Sequence, residues 1–262
     1  MAIHDDYART TPVELAFPDA GRAREVFDAV AAEAEARNAD PSDLAAFLQI
    51  GPVGACLRDL RAPDVGGEAL HQYAVLLQQA YLFDRAGRPL YLLDTGVVRY
   101  LVDGAPGGAT VALPAEAGYL QLPQHLVWLD GGAGHPESVD GMFWNRSADG
   151  VLRLLLAQGL RGDRPGLAVV PVAEAPWSDA ASWLDVQVRA EGADFGTTLP
   201  GGELEGLYSF QAAGEPLKLF ARTCAYLLAF PDMVEAADPA ETPSAGGPAP
   251  SRFSYRRIGL DR

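Results

Sequence analysis

Hydrophobic positions recur at three- and four-residue steps over the first third of the chain and then switch to short alternating runs. Ala23, Val26, Phe27, Val30, Ala31 and Ala34 form an Ala-rich helical stripe after Asp19, which is placed to cap it. Val13, Leu15 and Phe17 alternate before it, as a strand at a sheet edge would. Asp40-Pro41-Ser42-Asp43 predicts the start of a second helix, with Asp40 as N-cap, Pro41 in the first turn, and Leu44, Phe47 and Leu48 as the buried face. Gly51-Pro52 ends it, and Val53 to Leu60 is a third helix. Residues 68–83 are apolar on a face so wide that packing on two sides is expected.

After Arg85-Ala-Gly-Arg-Pro89 the runs shorten. Leu90 to Leu93 reads as a strand, and Asp94 to Val102 as a short helix by its i, i+4 pairs. Tyr119 to Pro123, Leu126 to Leu129, Val139 to Trp144, Leu152 to Leu156, Leu167 to Val172 and Leu184 to Val188 are strands. Their short connections imply antiparallel neighbours. Glu215 to Phe230 is a helix apolar on nearly all sides, with Lys218 and Arg222 as its wet stripe. It is expected between the sheet and the N-terminal helices. The fold class is therefore α+β: a helical part over 1–86, and a curved antiparallel sheet with an apolar C-terminal helix packed on it over 87–234, the two packed as one unit. Residues 235–250, rich in Ala, Pro and Gly, read as a disordered linker, and 251–262 as a basic C-terminal segment with strand-like alternation.

Charge narrows the functional classes. The net charge is −15, and it is uneven: residues 1–86 carry 7 basic and 14 acidic groups, 87–210 carry 7 and 15, and 211–262 carry 6 of each. Such a body repels phosphate, which argues against direct nucleic-acid binding and favours a protein or peptide partner carrying positive charge. Lys218 is the only lysine, which removes a P-loop. No apolar run reaches a membrane span, no leader-like segment opens the sequence, and Cys56 and Cys224 read as buried thiols; together these predict a cytoplasmic protein without a membrane partner.

Motifs for chemistry are sparse. The sequence has no HExxH, CxxC, G-x-S-x-G or G-x-G-x-x-G, and no cofactor is expected. His125, His135, Glu137 and Asp140 lie near one Gly-rich loop and are the weak candidate metal set; such loops are more often plain turns. Glu203 and Glu205 would share a strand face, although a solvated loop is the simpler reading. The feature that points furthest is aromatic: Tyr119, Trp128, Phe143 and Trp144 cluster on predicted strands. Strand aromatics are usually core, but Phe143 and Trp144 are adjacent and face opposite ways, so one ring is expected on an outer face. With Gln121, these residues form the candidate peptide-binding site, a peptide pairing with the edge of Tyr119 to Pro123.

Leu90-Tyr-Leu-Leu-Asp94, Tyr119-Leu-Gln-Leu-Pro123, Val127-Trp128, Gly141-Met-Phe-Trp144, Val151-Leu-Arg-Leu-Leu-Leu156, Tyr226-Leu-Leu228 and Tyr255-Arg-Arg-Ile-Gly259 occur in an order that resembles the A2 family of type V anti-CRISPR proteins and their bacterial relatives. The resemblance spans roughly residues 90 to 259 and rests on short, mostly hydrophobic motifs. It implies a protein without known catalytic residues that recognises a nascent peptide of its target nuclease. In that family the basic stretch after the Tyr-Arg-Arg-Ile-Gly motif runs on further than it does here. The preferred reading is thus a non-enzymatic protein- or peptide-binding module; the alternative is an enzyme whose site is assembled only in three dimensions.

Overall fold

The structure is a computed structural model, and it describes residues 11, 13–14, 17, 19–60, 67–103, 112–123, 126–129, 137–148, 150–158, 166–170, 208–210, 214–237 and 253–260. Four helices come first: α1 (Ala20–Arg37), α2 (Leu44–Leu48), α3 (Gly51–Leu60) and α4 (Gly67–Arg85). Asp19 caps α1, its Oδ1 accepting from Gly21 N at 2.7 Å. Asn38, in the left-handed region at φ 52°, closes the helix, its N–H donating to Ala34 and Glu35 carbonyls.

Two local expectations change here. Asp43, not Asp40, caps α2, accepting from Ala46 N at 2.7 Å; Asp40 instead ties down the preceding turn through Ser42 N and Oγ. The helix therefore starts later, Leu48 turns outward at 41% exposure, and Ile50 takes the inward position. Val13 and Phe17 are buried, but on a helical turn: Phe17 N donates to Val13 O, and Thr11 and Glu14 form a reciprocal capping box.

The sheet has nine strands: β1 (Leu90–Leu93), β2 (Ala117–Gln121), β3 (Val127–Leu129), β4 (Glu137–Arg146), β5 (Leu152–Gln158), β6 (Gly166–Val170), β7 (Tyr208–Phe210), β8 (Val234–Ala237) and β9 (Tyr255–Ile258). Their order is β6-β5-β4-β2-β1-β9-β8, with β3 pairing β4 and β7 beside this path. The sheet is mixed, which corrects the antiparallel expectation. The β2–β4, β4–β5, β5–β6, β3–β4 and β8–β9 pairs are antiparallel, whereas β1–β2, β1–β9 and β3–β7 are parallel. Short connections fix only neighbours in sequence; β9 reaches β1 from the far end of the chain. The segment expected as a linker from 235 begins inside β8, and residues 238–250 lie outside the described residues, as do 184–188, expected as a strand.

Both faces of this sheet are covered. Leu90, Leu92, Tyr119, Phe143, Leu155 and Ala157 pack with the N-terminal helices in one core. Tyr91, Leu93, Leu120, Met142, Trp144, Leu154 and Leu156 pack on the other side with α5 (Thr95–Asp103) and α6 (Gly214–Ala229). The apolar C-terminal helix thus lies across the sheet from α1–α4 rather than against them. α4 does have two buried sides: every residue from Ala74 to Tyr81 is buried, between the sheet and its fellow helices. Arg222 is no wet residue, since its Nη1 donates to Leu101 and Val102 carbonyls at 2.6 and 2.8 Å and so finishes α5. Cys56 and Cys224 are free and buried.

Trp144 locks the middle of the sheet. A Cβ on Gly118, its register partner, would stand 2.2 Å from the indole and 2.8 Å from the Pro89 carbonyl. The indole Nε1 donates to Ala115 O at 2.9 Å, and the ring lies 5.3 Å from Phe220 and 6.1 Å from Tyr91. Only glycine leaves room for this contact. Gly118→Ala is expected to lower unfolding free energy by about 2–3 kcal/mol, measured by urea denaturation; an unchanged midpoint would show that the ring does not press on this strand.

Candidate functional site

The structure brings most of the sequence-derived site residues together, but beneath both surfaces. Tyr119, Gln121, Phe143 and Trp144 are 0 to 2% exposed. β2 lies between β1 and β4, so the Tyr119 to Pro123 edge is already paired on both sides. The adjacency of Phe143 and Trp144 does send them to opposite faces, yet each face carries a helical layer, and neither ring reaches solvent. Phe143 meets Tyr119 at 4.6 Å and Phe83 at 6.2 Å. Trp128 alone is partly exposed, packed against the core on the α5–α6 side. These aromatics hold the sheet; they offer no open groove.

Polar groups within that core are less settled. Gln121 and Tyr119 point to the helical face, where the Tyr119 hydroxyl and Gln121 Nε2 have no hydrogen-bond partner. The hydroxyl occupies the space over Gly141, the register partner of Gln121: a Cβ there would stand 2.4 Å from it. Asp140 is the extra residue of a β-bulge in β4, its carbonyl accepting from Leu122 N at 2.9 Å. Further along the same face, Gln79 Nε2 donates to Asn145 Oδ1 at 3.2 Å, leaving Gln79 Oε1 and Asn145 Nδ2 unpaired.

Of the candidate metal set, Asp140 is buried on β4, Glu137 opens β4, and His125 and His135 lie outside the described residues, as do Glu203 and Glu205. Among the described residues no three His, Cys, Asp or Glu side chains stand where they could share an ion. No described helix is long and apolar enough to cross a membrane.

An accessible surface lies elsewhere, at the end of α6. Tyr226 is buried, and its hydroxyl donates to Gly259 O at 2.8 Å. Around it stand three exposed apolar side chains. Tyr100 and Phe230 are each 40% exposed, with rings 5.9 and 4.9 Å from that of Tyr226. Leu260, 42% exposed, lies against Gly96, where a Cβ would meet its Cδ1 at 3.0 Å.

Leu260 also lines a neighbouring groove of about 520 Å³, with Met233, Asp94, Asp232, Glu235 and Arg257. Asp94 is engaged by Arg257 at 2.8 Å; Asp232 and Glu235 form no ion pair among the described residues. Beside the groove runs β8, whose outer edge pairs with no described strand. Sequence reasoning missed this surface. The signal was the apolar pattern of α6 running on to Leu228 and Phe230, past the last residue the sheet covers.

Compared with known proteins, the chain matches no family model and no curated protein.

Two outcomes follow from the buried core. Burial pushes the Tyr119 hydroxyl well above its ordinary value of 10.0, with the Asp140 charge adding to the shift, and pushes the Cys224 thiol above 9.0. Both groups stay protonated in the folded chain and ionise once it unfolds, so unfolding releases protons at alkaline pH. Their contribution is intact below pH 9 and is lost as pH rises past the unfolded values of 9.0 and 10.0. Urea midpoints measured from pH 7 to 11 should therefore fall above pH 9, less so in Cys224→Ala and Tyr119→Phe than in the parent after normalising to pH 7. Separately, Tyr119→Phe removes an unpaired buried hydroxyl and is expected to raise stability at pH 7 by about 1 kcal/mol. A loss of that size would mean the hydroxyl has a partner.

Proposed function

We propose that the protein is a non-enzymatic binding module that takes an extended, positively charged peptide segment of a protein partner along the outer edge of β8. The observation that carries this reading is the combination at that edge: unpaired strand backbone, beside a groove whose Asp232 and Glu235 carboxylates lack basic partners, rimmed by Tyr100, Phe230 and Leu260. Strand addition supplies affinity and register through main-chain hydrogen bonds. Exposed rings give apolar side chains of the peptide a place to be buried, and unpaired carboxylates favour Arg or Lys over Asp or Glu.

The whole molecule supports the same sign. A net charge of −15 attracts basic segments at long range and repels nucleic-acid phosphate. The chain also treats its own basic strand this way: Arg257 of β9 pairs with Asp94, and Arg256 lies over the Tyr91 ring at 5.4 Å with its Nη1 donating to the hydroxyl. The order of short motifs that resembles the A2 anti-CRISPR family, where peptide recognition is the implied activity, agrees with this reading. On it the protein works in the cytoplasm, without a cofactor or a membrane partner.

The test uses two labelled octapeptides in fluorescence anisotropy, one alternating arginine with valine and one alternating glutamate with valine. The basic peptide should bind, and more weakly as salt is raised. Charge removal in Asp232→Asn/Glu235→Gln, and separately Phe230→Ala, should each weaken binding at least about fivefold with unchanged melting, since these side chains are exposed. Equal binding of the two peptides, or full binding by the variants, would contradict the assignment of the site.

A further inference from the structure

A second opening lies on the opposite side of the sheet and does not depend on the β8 surface. It is a cleft of about 190 Å³ where α1, the end of α4 and the segment before β9 meet. Its floor is aromatic: Phe27, Phe83 and Phe253 are all buried, and Phe83 meets Phe253 edge-on at 5.5 Å. Its rim is charged, with Arg24, Arg88 and Asp84.

The rim is held in an unusual way. Arg88 has φ 61°, in the left-handed region that arginine rarely adopts, directly after Gly87 at φ 83°. Residues held there at about 1 kcal/mol or more of strain concentrate at functional sites. This conformation sets the Arg88 guanidinium over the Phe253 ring at 5.6 Å, with Nε donating to Asp84 Oδ1 at 2.7 Å. Asp84 is thereby largely neutralised by Arg88. Arg24, on the exposed side of α1, forms no ion pair among the described residues, so the rim keeps one uncompensated positive charge in a strongly acidic protein.

From these features we infer that the cleft binds a small aromatic carboxylate. An apolar cavity of about 150 Å³ suffices to hold benzene, so this one takes a single ring with its carboxylate and excludes larger drug-sized molecules. The ring packs offset or edge-on against the Phe27, Phe83 and Phe253 rings. The carboxylate turns toward Arg24, whose guanidinium is free to hold both oxygens, and away from Asp84. A neutral ring of the same shape gains the floor but not the rim. An anion without a ring gains the rim but leaves the aromatic floor uncovered.

The experiment is a ligand-observed NMR titration of the full chain with benzoate and, as the neutral counterpart, benzamide. Benzoate should bind at least about fivefold tighter than benzamide, because a hydrogen bond to a charged group is worth more than a neutral one. That preference should shrink in about 1 M salt, where the Debye length is near 3 Å. Arg24→Gln, a change on an exposed helix position, should abolish the preference while leaving the weak benzamide binding. Ala23→Leu, which fills the cleft from its α1 wall, should abolish both. If benzoate does not bind, if the two ligands bind equally, or if the preference survives Arg24→Gln, the inference is overturned. Should Ala23→Leu fail to fold, the Arg24→Gln comparison decides alone.

Discussion

Everything in this protein hangs on the contact between Trp144 and Gly118. The indole lies where a side chain on the neighbouring strand would be, so β2 and β4 approach closely, and its N–H is satisfied by Ala115. From that position the ring touches Phe220 of α6 and Tyr91 of β1, tying helix, strand and sheet centre together. On the other face the same two strands repeat the device: Tyr119 leans over Gly141, where a Cβ would clash with its hydroxyl. One glycine per face, each beneath an aromatic ring from the partner strand, makes the β2–β4 pair the spine of the fold. A large ring buried without a Cβ beneath it gains contact area on its face as well as its edge.

How much of this was legible follows from which rules are local. Alternation along Tyr119, Leu120, Gln121 and Leu122 assigned faces correctly, because side-chain direction in a strand depends only on the strand. Helix positions were equally readable. What failed depended on the rest of the chain. Phe143 and Trp144 were read as giving one exposed ring, which holds for a sheet covered on one side; here α1–α4 cover one face and α5 with α6 the other. The pieces of that answer were present in the all-round apolar patterns of α4 and α6, each of which needs two partners. Parallel pairing of β9 with β1 joins residues about 165 apart in sequence, and no short turn announces it. Asp40 and Asp43 offered two caps three residues apart, and the turn that Asp40 closes with Ser42 decided between them.

Covering the sheet on both faces also determines where function can sit. With the central aromatics enclosed, apolar side chains reach solvent together only where α6 outruns the sheet, and a strand edge lies open beside them at β8. The C-terminal strand β9 links this surface to the aromatic cleft on the other side, since Phe253 floors the cleft two residues before β9 begins and Arg257 lines the groove. Basic residues at this end of the chain therefore do structural work, holding β9 against an acidic body through Asp94 and Tyr91, while Asp232 and Glu235 remain for a partner.

Amide hydrogen exchange followed by mass spectrometry tests the central claim most directly, namely that the aromatic stretch is enclosed core and β8 is the open edge. Peptides covering β2 and β4 should exchange only with global unfolding, whereas amides of β8 should exchange through local opening at far lower free energy. If β2 exchanges as fast as β8, then one of its sides is open, the aromatic stretch lies at a surface, and the layered arrangement described above is wrong.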